Sequence, residues 1–554
     1  MTHVDARQRR GAALFVVTIV VVLVTLSAYG FVVLMQAENR ASRIAADRGQ
    51  VQMVHDSGYA FLRSYAALPR VERELWAQVG TEESLFRDVI VDQDYSGIRH
   101  GRFSIVHHPV TLNDVEASPV TAERNVARRF DFGVVPTAAK LSLPTLLEWD
   151  QAQPGYGRVV LMQLPGMTEH VADSILDWLD EDEEPREFGA ELEFYERLNP
   201  PRKPANQLPK HLDELLSVRG VQFSDLYGDP VTGMRRVHHQ NDNQQARGAP
   251  DRTRTGGGRR PTDPVGPQLP WSAYLTVYSA ERNESRDGNP RINLNQEDLS
   301  ALTEQLNARF KPPVAKFVVA LRQYGPYDGG VSSARPATEL PEISSSAEAE
   351  FTIEHHLQLI DVSVGIPMGE EVRVFESPLR SEGTSGSDLV DFCDATTCAE
   401  DEVIQGRINI HLAPREVLTV IPGFSSDAME QLIALRQNTT IESGRQHAIW
   451  LLVEGVVDRT GMQEVWPWVT TCGDVMEGEV VAYYDQDSPW LRTEFVLDAT
   501  REELPLLFRR NMDRLGRGYR YDELSLPLDE QQVPGVAGQS MNTVSTGNRT
   551  IRGQ

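Results

Sequence analysis

The sequence predicts an α+β protein. One long N-terminal helix packs on a small antiparallel sheet, and an α-helical domain of hairpin-like units is inserted between the sheet's early and late strands. Three observations predict this. A strongly apolar, uncharged run lies near the N-terminus and passes into an amphipathic continuation. Short segments of alternating polarity occur early and late in the chain. Between them, a pattern of extended entry, helix, tight turn and second helix recurs.

The first element rests on residues Ala12–Met35, inside an uncharged stretch from Gly11 to Ala37. A helix rising about 1.5 Å per residue spans a ~30 Å hydrocarbon core with that length, which places a transmembrane helix at 12–36. Arg7, Arg9 and Arg10 precede it, and Glu38 is the first charge beyond it. Such a basic flank stays in the cytoplasm and leaves the bulk of the chain outside. A cleavable signal peptide has a shorter apolar region ending in a small-x-small site, which Leu26-Ser27-Ala28 matches poorly. Past the membrane there is no proline before Pro69, and Ile44, Val51, Val54, Phe61, Leu62 and Tyr65 lie near helical spacing. One helix is therefore expected from about Ala12 to Tyr65. An ordinary anchor followed by a linker is the competing reading.

The stalk and first strands occupy 37–139. Gly101–Val106 alternates apolar and polar residues, as a half-buried strand does, and Val480–Tyr484 and Leu491–Ala499 are candidates for the same sheet. The inserted helical domain covers 140–325. Within it, 240–270 holds five arginines and many Gly and Pro residues with almost no apolar side chain, so a disordered loop is expected there. Extra loops and strands fill 326–400. A second hairpin unit and C-terminal strands fill 401–515, and the tail 516–554 lacks a core pattern and is expected to be disordered at its end.

An internal repeat runs through the middle. Arg291-Ile292-Asn293-Leu294-Asn295 leads into a helical segment ending Ala320-Leu321-Arg322, and Arg407-Ile408-Asn409-Ile410-His411 leads into one ending Ala434-Leu435-Arg436. A weaker copy starts at Lys140-Leu141-Ser142-Leu143 and reaches Asp177-Trp178. Pro165-Gly166 and Pro422-Gly423 supply the turn in the outer copies, and Pro312-Pro313 stands there in the middle one. The unit looks like a helix-hairpin-helix, which raises an alternative function: an envelope-anchored protein binding DNA or another polyanion. Charge argues against it. With 54 Lys+Arg and 80 Asp+Glu, the net charge is −26, residues 171–196 carry eleven acids and one base, and 403–436 carry three of each. Neither surface attracts a polyanion, and no nucleic acid is expected as a partner.

Catalysis has little support. No H-E-x-x-H, G-x-S-x-G or P-loop occurs, and His107/His108, His238/His239 and His355/His356 are read as surface or strand residues. Trp178 and Trp450 are read as core. The three cysteines are too few for a disulfide scaffold. Cys393 and Cys398 are close enough to pair in an oxidising compartment, and a disulfide and two unreacted thiols both stay open.

The sharpest signal is an ordered string. Asp177-Trp178-Leu179-Asp180-Glu181-Asp182-Glu183-Glu184-Pro185 is followed by Gly189-Ala190-Glu191, Pro204-Ala205-Asn206, Leu212-Asp213-Glu214-Leu215, Val218-Arg219-Gly220-Val221 and Ile292-Asn293-Leu294-Asn295. It resembles the family of general secretion pathway protein K, the large minor pseudopilin of type II secretion. Arg9-Arg10-Gly11 before Ala12-Ala13-Leu14-Phe15 is similar to a type IV prepilin peptidase site. The likeness covers roughly 7–320 well, returns at 405–436 and is fainter at 450–515. The chain is longer than a typical member, and His411 stands where the second asparagine is expected.

The resemblance implies a type IV pilin-like architecture: a leader at 1–11 cut between Gly11 and Ala12, a methylated new N-terminus, and a helix that anchors in the inner membrane before serving as filament core. The protein would be single-pass with a cytoplasmic N-terminus and a periplasmic bulk, acting without enzymatic activity at the tip of the pseudopilus. Its partners would be prepilin peptidase, other minor pseudopilins and the inner-membrane secretion platform. Pilin-class subunits normally carry a glutamate at the fifth mature position, where this chain has Val16. Carboxylates as dense as Asp180, Asp182, Glu184 and Glu191 repel one another unless a cation neutralises them, and oxygen ligands suit Ca²⁺. Family members hold calcium in their helical domain, so these four are the candidate ligands of a structural calcium ion. A solvated acidic loop is the competing reading.

Overall fold

The computed structural model describes residues 5–73, 85–93, 100–108, 130–228, 268–329, 334–336, 348–369, 371–381, 386–436, 444–484, 489–516 and 518–525. The expected 240–270 loop, His238/His239 and the end of the tail lie outside them.

Helix α1 runs from Asp5 to Ala66 without interruption. It stops where Leu68 precedes Pro69, since a residue before proline is pushed out of the helical region. Its first half is long and apolar enough to cross a membrane, and its side chains from Leu14 to Met35 are exposed. Gly11 and Ala12 fall within the helix, but their side-chain surroundings lie outside the described residues. The second half changes character. Val51, His55, Tyr59, Leu62 and Ala66 are buried at three- and four-residue spacings, with Val54 beside them, the stripe that faces a core.

That stripe lies on an antiparallel sheet. Its main strands are β1 (Val89–Gln93), β2 (His100–His107), β3 (Val475–Tyr483), β4 (Trp490–Asp498) and β5 (Leu506–Asn511), in that spatial order, with two-residue pieces Asp131–Phe132 on β2 and Val135–Pro136 on β3. Gly58 lets the helix approach closely, because a Cβ there would stand 2.7 Å from Val480 Cγ1. The core beneath joins Val51, Val54 and Leu62 to Phe103, Ile105, Val480 and Phe495. The three expected strand segments all take part, paired through Ile105↔Val480 and Val480↔Thr493. On the other face, Tyr519 and Leu524 cover Val106, Val481 and Tyr483, so the start of the tail packs on the sheet.

Between β2 and β3 the chain builds a second core. Its apolar cluster extends from Leu141 to Val469, so segments from 140–325 and 401–470 share one interior. Three two-residue parallel pairings punctuate it: Leu141–Ser142 with Leu275–Thr276, Ile292–Asn293 with Thr396–Thr397, and Ile408–Asn409 with Val469–Thr470. Each begins at one of the repeat entries. Each is locked alike at its exit, where Thr276, Thr397 and Thr470 Oγ1 accept from the backbone N–H two residues on, at 3.2, 3.1 and 3.4 Å. At the entries, Asn293 and Asn409 Oδ1 accept from the N–H of Asn295 and His411 at 2.8 and 2.9 Å. The repeat in the sequence is thus a repeat of closure in space.

Helices sit inside each closed segment. The first holds α2 (Leu143–Ala152), α3 (Tyr156–Leu161) and α4 (Glu169–Leu179). The second holds Leu299–Arg309 and Pro312–Tyr324, where the proline pair opens the second helix, as its fixed φ and missing N–H permit. The third holds Arg415–Leu418 and Ser426–Arg436. Gly166 and Gly423 take φ of 64° and 78° in their turns, a conformation glycine adopts without strain.

Residues 326–400 hold more order than loops. Ser363–Met368 and Glu371–Glu376 form a hairpin, and Gly386–Ala395 is a helix burying Leu389, Val390, Phe392 and Cys393. The Ser/Gly-rich stretch at 381–387 obscures that helix in the sequence, although its apolar residues keep helical spacing. Cys393, Cys398 and Cys472 are free thiols.

Candidate functional site: an acidic oxygen cluster

Helix α4 opens on Thr168, whose side chain accepts from the Val171 N–H, and ends at Asp180, whose N–H still bonds Leu176 O at 3.1 Å. The next turns fold the acidic string back beneath α2 and α4. Without compensation this fold buries several carboxylates in one place, and two arginines supply most of the compensation. Arg186 donates from Nη1 to Asp177 Oδ1 at 2.9 Å and to Asp180 Oδ2, and from Nη2 to Asp150 Oδ2 at 2.8 Å. Arg158 holds Asp173 with two bonds of 2.6 Å. Backbone groups complete the set. Asp177 Oδ2 accepts from Ala190 N–H at 2.7 Å, and Asp150 Oδ1 accepts from Gly155 and Gly157 N–H at 3.0 and 2.8 Å.

The glycine of the Gly189-Ala190-Glu191 triplet has a steric reason. A Cβ on Gly189 would stand 1.8 Å from Asp177 Oδ2. Gly189→Ala is expected to cost about 1–3 kcal/mol, the scale of overpacking. A urea unfolding midpoint equal to the parent's would contradict that.

With these carboxylates satisfied, a different set is left over. Asp180, Asp182 and Glu191 offer ligand oxygens that all lie within 4.8 Å of one another. Asp180 Oδ1 and both Glu191 carboxylate oxygens are buried without a hydrogen-bond partner among the described residues. Burial first, then the charges of Asp177, Asp180 and Asp182, push the Glu191 carboxyl up to about 7. Asp177 and Asp180 are raised as well, mainly by burial, with Arg186 opposing. An arrangement in which buried carboxylates face one another with free lone pairs favours a hard cation, and oxygen-only donors suit Ca²⁺.

The sequence placed Asp180, Asp182 and Glu191 correctly near each other, but Glu184 is not in the group. It is exposed, and its contribution is a backbone N–H donated to Asp182 Oδ1 at 2.8 Å. The sequence reading missed Asn206. Its Nδ2 donates to Asp182 O at 2.6 Å, and its Oδ1 is buried and has no partner among the described residues. The signal was available: Asn206 closes the Pro204-Ala205-Asn206 string and takes φ of 44°, a conformation asparagine tolerates better than most residues. The motifs Asp-x-Asp, Gly-Ala-Glu and Pro-Ala-Asn thus converge on one place. Trp178 packs behind them, 6% exposed and edge-on to Tyr195.

Together these features define an α+β protein with one long apolar N-terminal helix, a helix-covered antiparallel sheet and an acidic loop equipped to hold an ion. Residues 150–226, the segment that builds this loop, match the family model described as type II secretion system (T2SS), protein K. A 56-residue segment is 41% identical to the putative type II secretion system protein K of Escherichia coli (strain K12), covering 10% of this chain and 17% of that relative. No solved structure matches. The chain thus carries, at 150–226, a segment of the type II secretion system protein K family, and it spans about a sixth of the length of the curated relative it matches.

Proposed function

We propose that this protein is a minor pseudopilin that sits at the tip of a type II secretion pseudopilus and helps start its assembly, in a structural rather than catalytic role. The observation that carries this reading is the family match over the acidic loop, on a chain whose N-terminal helix is half exposed apolar surface and half packed stalk. Prepilin peptidase would cut between Gly11 and Ala12. Removing the arginines before Gly11 lets the helix leave the bilayer without drawing fixed charge through hydrocarbon.

Val16, then the fifth residue, supplies no carboxylate for a neighbour's buried N-terminal amine. An unpaired charge in an apolar core costs several kcal/mol, so the subunit suits the top of the filament, where no neighbour stands above. The three clasped segments beginning at Lys140, Arg291 and Arg407 are read as helix-hairpin-helix-like units turned from phosphate binding to scaffolding. The remaining division keeps 37–139 with the sheet and 140–325 with the inserted domain, and the shared core draws 401–470 toward the latter. A calcium ion at Asp180, Asp182 and Glu191, completed by Asn206 Oδ1, would hold the acidic loop in shape. Other minor pseudopilins and the inner-membrane platform are the expected partners.

Mass spectrometry of the mature chain is expected to find a methylated N-terminus at Ala12, and immunogold labelling should mark one filament end. A mature chain starting at Thr2 or after Ala28, or label along the shaft, would overturn the assignment.

A further inference from the structure

A cavity of about 340 Å³ lies where the second and third clasped segments meet, and none of the acidic loop's motif residues line it. Two of its lining residues are Arg291 and Arg407, the equivalent first residues of the two Arg-Ile-Asn entries. The repeat therefore brings two arginines to one partly open cavity. His356, His447, Cys398 and Trp466 supply much of the rest of the wall.

The arginines are anchored but not used up. Arg291 donates from Nε to Asp394 O at 2.9 Å, with Nη2 3.8 Å from Asp394 Oδ1. Arg407 donates from Nη1 to Glu281 Oε1 at 3.3 Å. Each guanidinium carries five N–H donors in a fixed fork, and the remaining ones make no hydrogen bond among the described residues. Asp394 thus positions Arg291 and Glu281 positions Arg407, neither acid lines the cavity, and both arginines do. Glu354 is the one carboxylate in the lining among the described residues, and it is exposed to solvent.

The other polar groups are neutral. Thr396 spends its hydroxyl proton on Phe392 O at 2.7 Å, so it accepts from His356 Nε2 at 2.9 Å, which leaves Nδ1 bare and facing Cys398 Sγ at 3.9 Å. Burial, with Arg291 and Arg407 adding to it, takes His356 down to about 3 and His447 well below its ordinary value. Burial holds the Cys398 thiol up at about 12. A thiol beside imidazoles invites a metal reading, but the charges of Arg291 and Arg407, both felt at His356 and His447, oppose a cation there.

We propose that this cavity binds a small organic anion, a carboxylate or phosphate ester, clamped between the Arg291 and Arg407 forks with its flat or apolar part against Trp466, His356 and His447. Planar, two-bond recognition of carboxylate or phosphate oxygens is the geometry arginine forks provide. The site lies in the size range of pre-formed small-molecule pockets, about 300–1,000 Å³.

The test uses the full-length chain in detergent, titrated at low salt with inorganic phosphate and separately with benzoate, reading tryptophan fluorescence and heat. Saturation with one equivalent is expected for at least one of them, weakening as salt rises. Phosphate alone saturating assigns the phosphate ester, and benzoate alone assigns the carboxylate. Arg407→Gln should weaken binding about tenfold or more. Because that change also strips Glu281 of a partner, Ala399→Phe provides an independent check: it fills the cavity from a wall that leaves both arginines in place, and binding should vanish while the melting curve stays. No saturation by either anion up to ~10 mM, the weak end of specific binding, overturns the proposal. So does saturation that survives Ala399→Phe.

Discussion

Replacing Asp474 with alanine is expected to destabilise the protein by about 3–5 kcal/mol, the cost of leaving buried charges without their counter-charge. Asp474 is fully buried and sits in the joint between the last helical-domain strand, Val469–Thr470, and β3. Arg70 and Arg73 follow the end of α1 and meet it there, with Arg70 Nη2 at 2.5 Å and Arg73 Nη2 at 2.7 Å. Arg282 donates its backbone N–H to the same carboxylate at 2.8 Å. One side chain thus ties the stalk helix, the sheet and the helical core together. Its carboxyl is held well below the usual range by Arg70 first and Arg73 next, against the opposing effect of burial. A depressed carboxylate contributes stability that is present above its unfolded value near 4 and is lost as pH falls below it. Urea unfolding at neutral pH should show the full difference between Asp474→Ala and the parent, and the gap should narrow in acid. A variant as stable as the parent would show that the joint is held by something else.

Little of this joint was legible in the sequence. Arg70, Arg282 and Asp474 are separated by hundreds of residues, and no local pattern marks them as neighbours. What was legible follows a short-range rule. The stalk helix announced itself through the spacing of Val51, Val54 and Leu62, and β2 through its alternation, because both depend on residues a few positions apart. The β2 pattern understated its burial, since every residue from Gly101 to Val106 is buried, with α1 on one face and Tyr519 and Leu524 on the other.

The acidic cluster was half visible. Density of charge pointed to Asp180 and Asp182, and motif order to Glu191. Choosing Glu184 over Asn206 followed from weighing charge alone, whereas Glu184 stands exposed and Asn206 is brought in by hydrogen bonding to Asp182. Arg186 looked like the single base in an acidic run, yet it neutralises three of the aspartates. The repeat was visible as words, Arg-Ile-Asn twice. Its partners were not, because Thr276, Thr397 and Thr470 stand far along the chain from the entries they close. His356 was expected in a surface or strand setting and instead lines a cavity, a position set by Thr396 across the fold.

Metal-free protein is expected to lose stability as pH rises from about 4.5 to about 7, and calcium is expected to restore it. Glu191 drives both effects. In the folded chain its carboxyl is raised from 4.5 to about 7, by burial first and then by Asp177, Asp180 and Asp182. Between those values the native state binds a proton that the unfolded chain has released, so stability falls with pH through that window and levels off above it. At 1.36 kcal/mol per unit, the full penalty is about 3 kcal/mol. A cation at Asp180, Asp182 and Glu191 stabilises the ionised form and competes with the proton, so calcium affinity should rise with pH up to about 7. At a hundredfold excess over Kd, binding to the native state alone adds about 2.7 kcal/mol. Glu191→Gln separates the two effects. It removes the buried charge, so the metal-free variant should be about 2–3 kcal/mol more stable than the metal-free parent at pH 8. It also removes a ligand, so its response to calcium should shrink or disappear. Melting curves at pH 5 and pH 8, each with calcium and with chelator, read all four states. A parent whose melting temperature ignores calcium at pH 8, or a Glu191→Gln variant less stable than the metal-free parent there, would mean that the cluster is merely solvated and that its carboxylates do not confront one another.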